Sequence, residues 1–485
     1  MNKSIWMDDL NNKTYSKLEN NITCDILIIG GGITGISTAY FLKKCNKKIV
    51  VVDSNRIATG TTAKSTGKLT FLQDNVLENV IKIYGKKIAN LYLKSQQDAI
   101  ELASNIIKDN NIDCNFQKVK SYLFTMKKSN VKKLDEIFDT LKNNVELSYQ
   151  KNIPIKTSCI KALESNDTYV FHPVKFVTGM AKCIKDNVKI YENTRIISIE
   201  KKKNLWYART KENIISAKQV VLACHYPFFL IPYFFPFKTT IEKSFLAAVK
   251  VDEVKSFSAI NIDSNVLSFR YHSDKENYFI MCSETNDLSK NINDLKFQHK
   301  LLKKLQYYTP NKASYSWSNH DIITFDYLPL TGKIDENLYI ATGFNTWGMT
   351  NGILAGKVIS DILLKKKNNY VKLFNPLRAN KPITNLINYN FKNGLSFVDT
   401  KINKNRTFYK SNVKIVKENG IWYGVYIDEN NVEHKVKNKC PHMKCNLSFN
   451  YQNKTWDCPC HGSSFDIDGN MIYGPANYDI KINKN

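Results

Sequence analysis

Apolar residues run unbroken from Ile26 to Ile29, which suits a strand covered on both faces better than the alternation of a half-exposed one. A glycine-rich turn and a helical pattern follow, and a second apolar run, Ile49 to Val52, ends in Asp53. The same order of strand, glycine turn and helix returns at 338–361 (LYIATGFNTWGMTNGILAGKVISD). The most apolar segment, Tyr226 to Phe237 (YPFFLIPYFFPF), is short and holds three prolines. It is expected to line a buried substrate cavity, the other reading being a surface patch that docks a membrane or a partner. No run reaches the ~18 apolar residues of a spanning helix. Residues 366–405 are rich in Lys and Asn but keep periodic apolar positions, which predicts a tether packed on the preceding domain. No internal repeat is visible.

Composition adds bounds. A chain of 485 residues with 43% apolar content is long enough for two or three domains with a sizeable core. Its net charge of +26 is spread over dispersed lysines with no long basic block. That points to compositional drift, and no nucleic-acid partner is expected. Peripheral contact with an anionic membrane face or an acidic electron carrier stays open. The start, MNKSIWMDDLNNKTY, lacks the apolar run of a signal peptide, so a cytoplasmic location is expected. Seven of the eleven cysteines are scattered: Cys24, Cys45, Cys114, Cys159, Cys183, Cys224 and Cys282. The other four, Cys440, Cys445, Cys458 and Cys460, crowd together with two histidines, which signals a metal site.

Gly30, Gly32 and Gly35 form G-x-G-x-x-G between the first strand and its helix. The first glycine permits the tight turn, the second lets backbone approach a pyrophosphate, and the third lets helix and strand pack closely. Asp53 stands where an acid accepts ribose hydroxyls, so this unit predicts dinucleotide binding. No second G-x-G-x-x-G occurs, which argues against a separate NAD(P)H fold. In the later unit Gly343 can lie against the pyrophosphate. Gly348, Met349 and Thr350 open a helix whose dipole would stabilise negative charge on a reduced flavin ring. A second strand–turn–helix with Met349 in the core is the plainer alternative.

Residues 20–365 resemble the D-amino-acid oxidase class of FAD-dependent oxidoreductases, the group that includes glycine and sarcosine oxidases. The matching pieces are GGGITG, GTTAKSTGKLT (60–70), VVLACHYP (220–227), DYLPLTGK (326–333) and ATGFNTWGMTNG (341–352). The resemblance implies FAD contacts from Gly30, Gly32, Gly35, Asp53, Thr61, Thr62 and Lys68, with Ile196 meeting the adenine through its backbone. Gly343, Gly348, Met349 and Thr350 would sit at the pyrophosphate and ring. It also implies an α/β flavoprotein over 1–365. The Rossmann-like FAD domain would take about 20–75, 155–230 and 320–365. An antiparallel-sheet substrate domain would take about 76–154 and 231–319. A carboxylated substrate would want an arginine fork, and Arg270 in SFRYH is the first candidate, with a surface salt bridge as its alternative. Trp317 and His320 in SWSNHD, and His225 after its strand, are further pocket candidates; no catalytic residue is assigned.

Residues 440–463 (CPHMKCNLSFNYQNKTWDCPCHGS) hold two boxes, C-x-H-x-x-C and C-x-C-H-G-S. A zinc ribbon would also use Cys and His at short spacing. One Cys and one His from each box instead resemble a Rieske [2Fe–2S] centre, in a small all-β domain over 406–485. The likeness implies that Cys440 and Cys458 hold one iron and His442 and His461 the other. It further implies a disulfide between Cys445 and Cys460, as in the Rieske proteins of respiratory cytochrome complexes. Ser463 resembles the serine that bonds a bridging sulfide, and Gly474 and Pro475 resemble the covering proline loop. Two positions depart. Phe465 replaces a tyrosine that would raise the potential, and Lys444 replaces a glycine, which strains its turn. Together the likenesses imply an FAD-dependent enzyme acting on the C–N bond of a small amine or amino acid. Electrons would pass from flavin to the Rieske cluster and on to an external acceptor. The alternative is an electron-transfer or redox-sensing protein with no amine substrate.

Overall fold

The computed structural model describes residues 3–8, 10, 14–226, 235, 238–287, 294–379, 412–451, 453–460 and 462–482. Strand Ile22–Ile29 sits inside an eight-stranded sheet, with Ile214–Leu222 parallel on one side and Ile49–Val52 parallel on the other. Leu338–Thr342 and Val188–Tyr191 extend the parallel set, and antiparallel Leu330–Asp335 closes one edge. The unbroken apolar run of the first strand has a direct cause. Ile26 and Ile28 enter one hydrophobic core, and Leu27 and Ile29 enter another on the opposite face.

The first core is roofed by helices Ile33–Leu42, Lys86–Asp109, Pro173–Lys182 and Gly348–Leu363. Helices Ile33–Leu42 and Gly348–Leu363 approach closely because Gly352 and Gly356 face the contact. A Cβ on Gly356 would lie 2.7 Å from both Ser37 Cβ and Thr38 N.

A nine-stranded sheet forms the second layer. Its order runs Tyr315–Thr324, Thr239–Lys250, Asn277–Asp287, Leu267–Ser273, Phe257–Asn261, Gln117–Thr125, Lys161–Val170 and Lys68–Leu69, with Ser148–Gln150 beside Lys161–Val170. All pairs are antiparallel except Phe257–Asn261 with Gln117–Thr125. Three strands lie across the boundaries expected from sequence. Lys68–Leu69, Lys161–Val170 and half of Tyr315–Thr324 fall in the expected FAD parts, yet all three pair within the nine-stranded sheet. Strand alternation shows which face is buried but not which sheet a strand joins.

Residues 366–379 pack on the flavoprotein. Tyr370, Leu373 and Phe374 enter its core, and Arg378 grips Asp326 through Nε and Nη2 at 2.7 and 2.8 Å. The remainder of the predicted tether, 380–405, lies outside the described residues, as does most of the apolar run 226–237; within that run Phe235 is buried. The C-terminal region is all-β. Val413–Glu418, Ile421–Ile427 and Glu433–Lys437 form a three-stranded sheet. Ser448–Asn450, Thr455–Asp457, Ser464–Phe465 and Met471–Tyr473 form a four-stranded one. Among the described residues no helix is long and apolar enough to cross a membrane.

Candidate functional site

A cavity of about 200 Å³ opens at the carboxyl ends of the parallel strands, where open α/β sheets bind their ligands. Gly30 has φ +112°, and a Cβ there would lie 2.4 Å from the Ala223 carbonyl oxygen, so the turn admits only glycine. Gly35 does not line the cavity; a Cβ on it would lie 1.8 Å from the Gly30 carbonyl oxygen, so its bareness lets helix meet strand. Gly32 does line it, and Thr62 Oγ1 accepts from the Ile33 N–H at 3.0 Å, fixing the start of the helix. Asp53 accepts from the backbone N–H of Gly31 at 2.7 Å and of Asn55 at 2.8 Å. Burial pushes its carboxyl up, while those N–H groups and nearby Arg195 pull it down.

The expected residues Thr61, Ile196, Gly348 and Met349 also line this cavity, as does His225. Lys68, Gly343 and Thr350 do not. Gly343 packs against Thr324 with φ +70°, and Thr350 is tied to Gln96 and Gln73 at 2.6 and 3.2 Å. Lys68 points into the nine-stranded sheet, donating to Ala259 O and Ser268 Oγ at 2.8 and 2.7 Å; burial brings its ammonium down to about 7. His225 holds φ +67° and carries a buried Nε2 with no hydrogen-bond partner at the cavity wall. A glycine cradle, a helix start, an acid at the second strand and an orphaned polar atom together fit a dinucleotide.

A second cavity shares Thr61, Gly348 and Met349 with the first. Three acids line it, Asp74, Glu242 and Asp321, with Lys64 and Lys68 as its cations. Asp74 accepts from Trp347 Nε1 at 3.2 Å. Asp321 accepts from Ser244 Oγ at 3.3 Å and Asn319 Nδ2 at 3.1 Å, and burial pushes its carboxyl up to about 7.

Arg270 lines neither cavity, which corrects the expectation of a substrate fork. It is 1% exposed and donates to the carbonyls of Thr66, Gly67, Phe171 and Tyr271, so its guanidinium ties two distant segments, at 66–67 and at 171, to its own strand. Trp317 is likewise structural, donating from Nε1 to the Lys64 carbonyl at 2.9 Å. On strand Tyr315–Thr324 the alternation puts Asn319 and Asp321 at the acidic cavity. His320, between them, instead lies 5.6 Å from the Tyr473 ring.

At the other site Cys440 and Cys458 are buried. Tight loops set them: Lys444 N donates to Cys440 O at 2.9 Å, and Gly462 N to Cys458 O at 3.0 Å. Hydrogen bonding with Cys458 is the main cause that brings the Cys440 thiol below its ordinary value, as suits a thiolate ligand. Cys445 and Cys460 are joined by a disulfide. The sulfurs of Cys445, Cys458 and Cys460 lie within 4.8 Å of one another, and burial holds His442 neutral, near 4. His461 lies outside the described residues. Ser463 Oγ is fully buried and accepts from Ala476 N at 2.9 Å, leaving its proton free to reach the Cys440 sulfur. Lys444 adopts φ +61°, the strained turn its place in the sequence implies. Phe465 is wholly buried and offers no hydroxyl.

Residues missed in the sequence close the site. Ile472, Tyr473, Ala476 and Asn477 line the first cavity beside Gly474 and Pro475, which were expected only over the cluster, and Thr194 and Arg195 line it too. Tyr473 approaches His225 at 6.2 Å between ring centroids, and Lys64 Nζ stands 5.6 Å from the Tyr473 ring. Tyr226 meets His442 edge-on at 6.4 Å. Lys243 and Asp457, both buried, pair across the same seam at 3.9 Å. Nothing local in the sequence marks these partners.

A Rossmann-type cradle opening onto a second cavity, with a Cys/His cluster site docked at its wall, defines a flavin-dependent oxidoreductase with an iron–sulfur outlet. The chain belongs to the family of FAD-dependent oxidoreductases, whose sequence model matches residues 25–362, and a Rieske [2Fe-2S] domain matches 400–483. Over 99% of its length it is 29% identical to the Rieske 2Fe-2S iron–sulfur protein YhfW of Bacillus subtilis, covering 97% of that protein. It is 24% identical to gamma-glutamylputrescine oxidoreductase of Escherichia coli over 72% of this chain and 85% of that one. Glycine oxidase of Geobacillus kaustophilus shares the fold, with TM-score 0.62 at 14% identity over 74% of this chain and 99% of that one. When bound, FAD accepts hydride and the cluster accepts single electrons.

Proposed function

We propose that this enzyme oxidises a small amine whose cationic groups are held by Asp74, Glu242 and Asp321, and that its electrons leave through the Rieske cluster to an external one-electron acceptor. The acid-lined cavity that shares Thr61, Gly348 and Met349 with the dinucleotide cradle carries this reading. Three carboxyl groups against two lysines make a wall suited to positive charge. No arginine is among the described lining residues to fork a substrate carboxylate. The amine carbon would give up hydride toward the cradle and form a C=N bond, releasing two electrons and two protons per molecule. The protein's part is to hold that carbon at the shared wall, with the acids anchoring the amine's charge and buried surfaces excluding water. The name of one relative, gamma-glutamylputrescine oxidoreductase, supports this reading of the substrate class.

Anaerobic mixing with a panel of monoamines, diamines and zwitterionic amino acids tests this. Flavin absorbance is followed together with the low-temperature EPR signal of the reduced cluster. Amines without a carboxylate are expected to bleach the flavin faster than amino acids, with the cluster signal rising afterwards. Bleaching by amino acids alone overturns the cationic pocket. No bleaching by any compound, while dithionite reduces both centres, overturns the amine chemistry itself.

A further inference from the structure

The cavity and the cluster site share a wall, and two tyrosines, Tyr226 and Tyr473, stand in it. Tyr226 is 6% exposed and lines the dinucleotide cavity, and its ring stands perpendicular to His442 at 6.4 Å. One side chain therefore spans from the cradle to a cluster-box histidine. Tyr473 lines the same cavity from the opposite domain, packed against His320 at 5.6 Å and His225 at 6.2 Å. His225 and Tyr226 are adjacent in the chain, so the C-terminal domain contacts one segment at two consecutive residues. These contacts are tied to the cluster loops, because Ala476 N, three residues beyond Tyr473, donates to Ser463 Oγ. The Lys243–Asp457 pair, buried in the same seam, adds a polar tie.

We propose that electrons cross from the flavin cavity to the cluster through Tyr226 and its contact with His442, and that Tyr473 is the positioning residue that keeps this contact in register. The route rests on the flavin-to-cluster flow of the proposed function but not on the identity of the amine. Each transfer moves one electron. With both groups bound, the flavin would supply that electron with a proton released to solvent, and the cluster held by the two Cys/His boxes would take it as one ferric ion reduced to ferrous. The external acceptor then takes the electron from the cluster. Transfer through matter weakens steeply with separation, so a continuous aromatic contact outperforms a gap left by an aliphatic side chain. The seam is buried on both sides, so transfer at this contact does not require the Rieske domain to swing away between electrons.

The test uses full-length protein holding both FAD and cluster, with Tyr226→Leu, Tyr226→Phe, Tyr473→Ala and Tyr473→Phe. Flavin is reduced either by the amine or by light with a sacrificial donor, which bypasses the amine cavity. The readout is the interval between flavin reduction and the rise of the cluster EPR signal. Tyr226→Leu is expected to slow that second phase by about tenfold or more. Tyr226→Phe, which keeps the ring, should restore it, with the g-values of the cluster unaltered. Tyr473→Ala should slow the same phase and Tyr473→Phe should not. A second phase unaffected by Tyr226→Leu overturns the route, as does equal slowing by Leu and Phe. Should Tyr226→Leu lose its cluster, Tyr226→Met keeps the bulk without the ring and carries the same test. Failure of every amine with a normal light-driven second phase sinks the substrate reading and leaves this route standing.

Discussion

Burial moves the Asp321 carboxyl up to about 7; hydrogen bonds from Ser244 and Asn319 work against the rise and Asp74 adds to it. The folded value lies above the unfolded one near 3.9. Ionising Asp321 therefore costs stability, by an amount absent below about pH 4, growing to about pH 7 and full above it. The same ionisation creates the anion that a cationic amine needs. The apparent KM for the amine should accordingly rise severalfold as pH falls below about 7, and Asp321→Asn should flatten that limb while raising the melting temperature above pH 7. A pH series of kcat/KM and melting temperature checks both; a limb that persists in Asp321→Asn assigns the titration elsewhere. Arg270 shows why residue roles were hard to read from sequence. An arginine within a strand pairs with whatever the fold delivers, and its partners Thr66, Gly67 and Phe171 lie 204, 203 and 99 positions away. Lys444 was easier, because a tight turn between two metal-box cysteines constrains backbone conformation locally.

Helices Ile33–Leu42 and Gly348–Leu363 meet through bare backbone, and Gly356 is the sharpest case. Alanine there would gain about 1 kcal/mol of helix propensity. Its Cβ would however lie 2.7 Å from Ser37 Cβ and Thr38 N, forcing the helices apart. Overpacking of this kind typically costs about 1–3 kcal/mol. Gly356→Ala is therefore expected to lower the urea midpoint and weaken FAD retention together, since Gly348 and Met349 at the head of the same helix line the cradle. An unchanged or higher midpoint would show that the pair can yield. The nucleotide half was legible because strand, turn, helix and acid follow one another within a few dozen residues, each with its own periodicity. An antiparallel sheet was expected in the second layer, but its strand order was not legible, because neighbouring strands lie far apart in the chain: Lys68–Leu69 pairs Lys161–Val170, and Gln117–Thr125 pairs Phe257–Asn261. The acidic cavity inherits that obscurity, since Asp74, Glu242 and Asp321 converge only once the sheet has formed.

The Rieske domain supplies a wall of the flavin cavity as well as an outlet for electrons. Segment 472–477 lines that cavity and is anchored at Ala476 to Ser463, inside the second cluster box. Removing iron with a chelator under reducing conditions should loosen this anchor and speed FAD release severalfold, read as recovery of free-flavin fluorescence. Release at the rate of the intact protein would mean that the wall stands without the cluster. The two sides of the cavity, residues 29–62 and 472–477, lie some 400 positions apart in the chain. At about 5–20 residues per second of synthesis, the cradle waits roughly 20–80 s for its far wall. During that interval a nascent chain presents an open-sided nucleotide site, and once the final wall docks, the cofactor already inside is held by a domain that must mature around iron of its own.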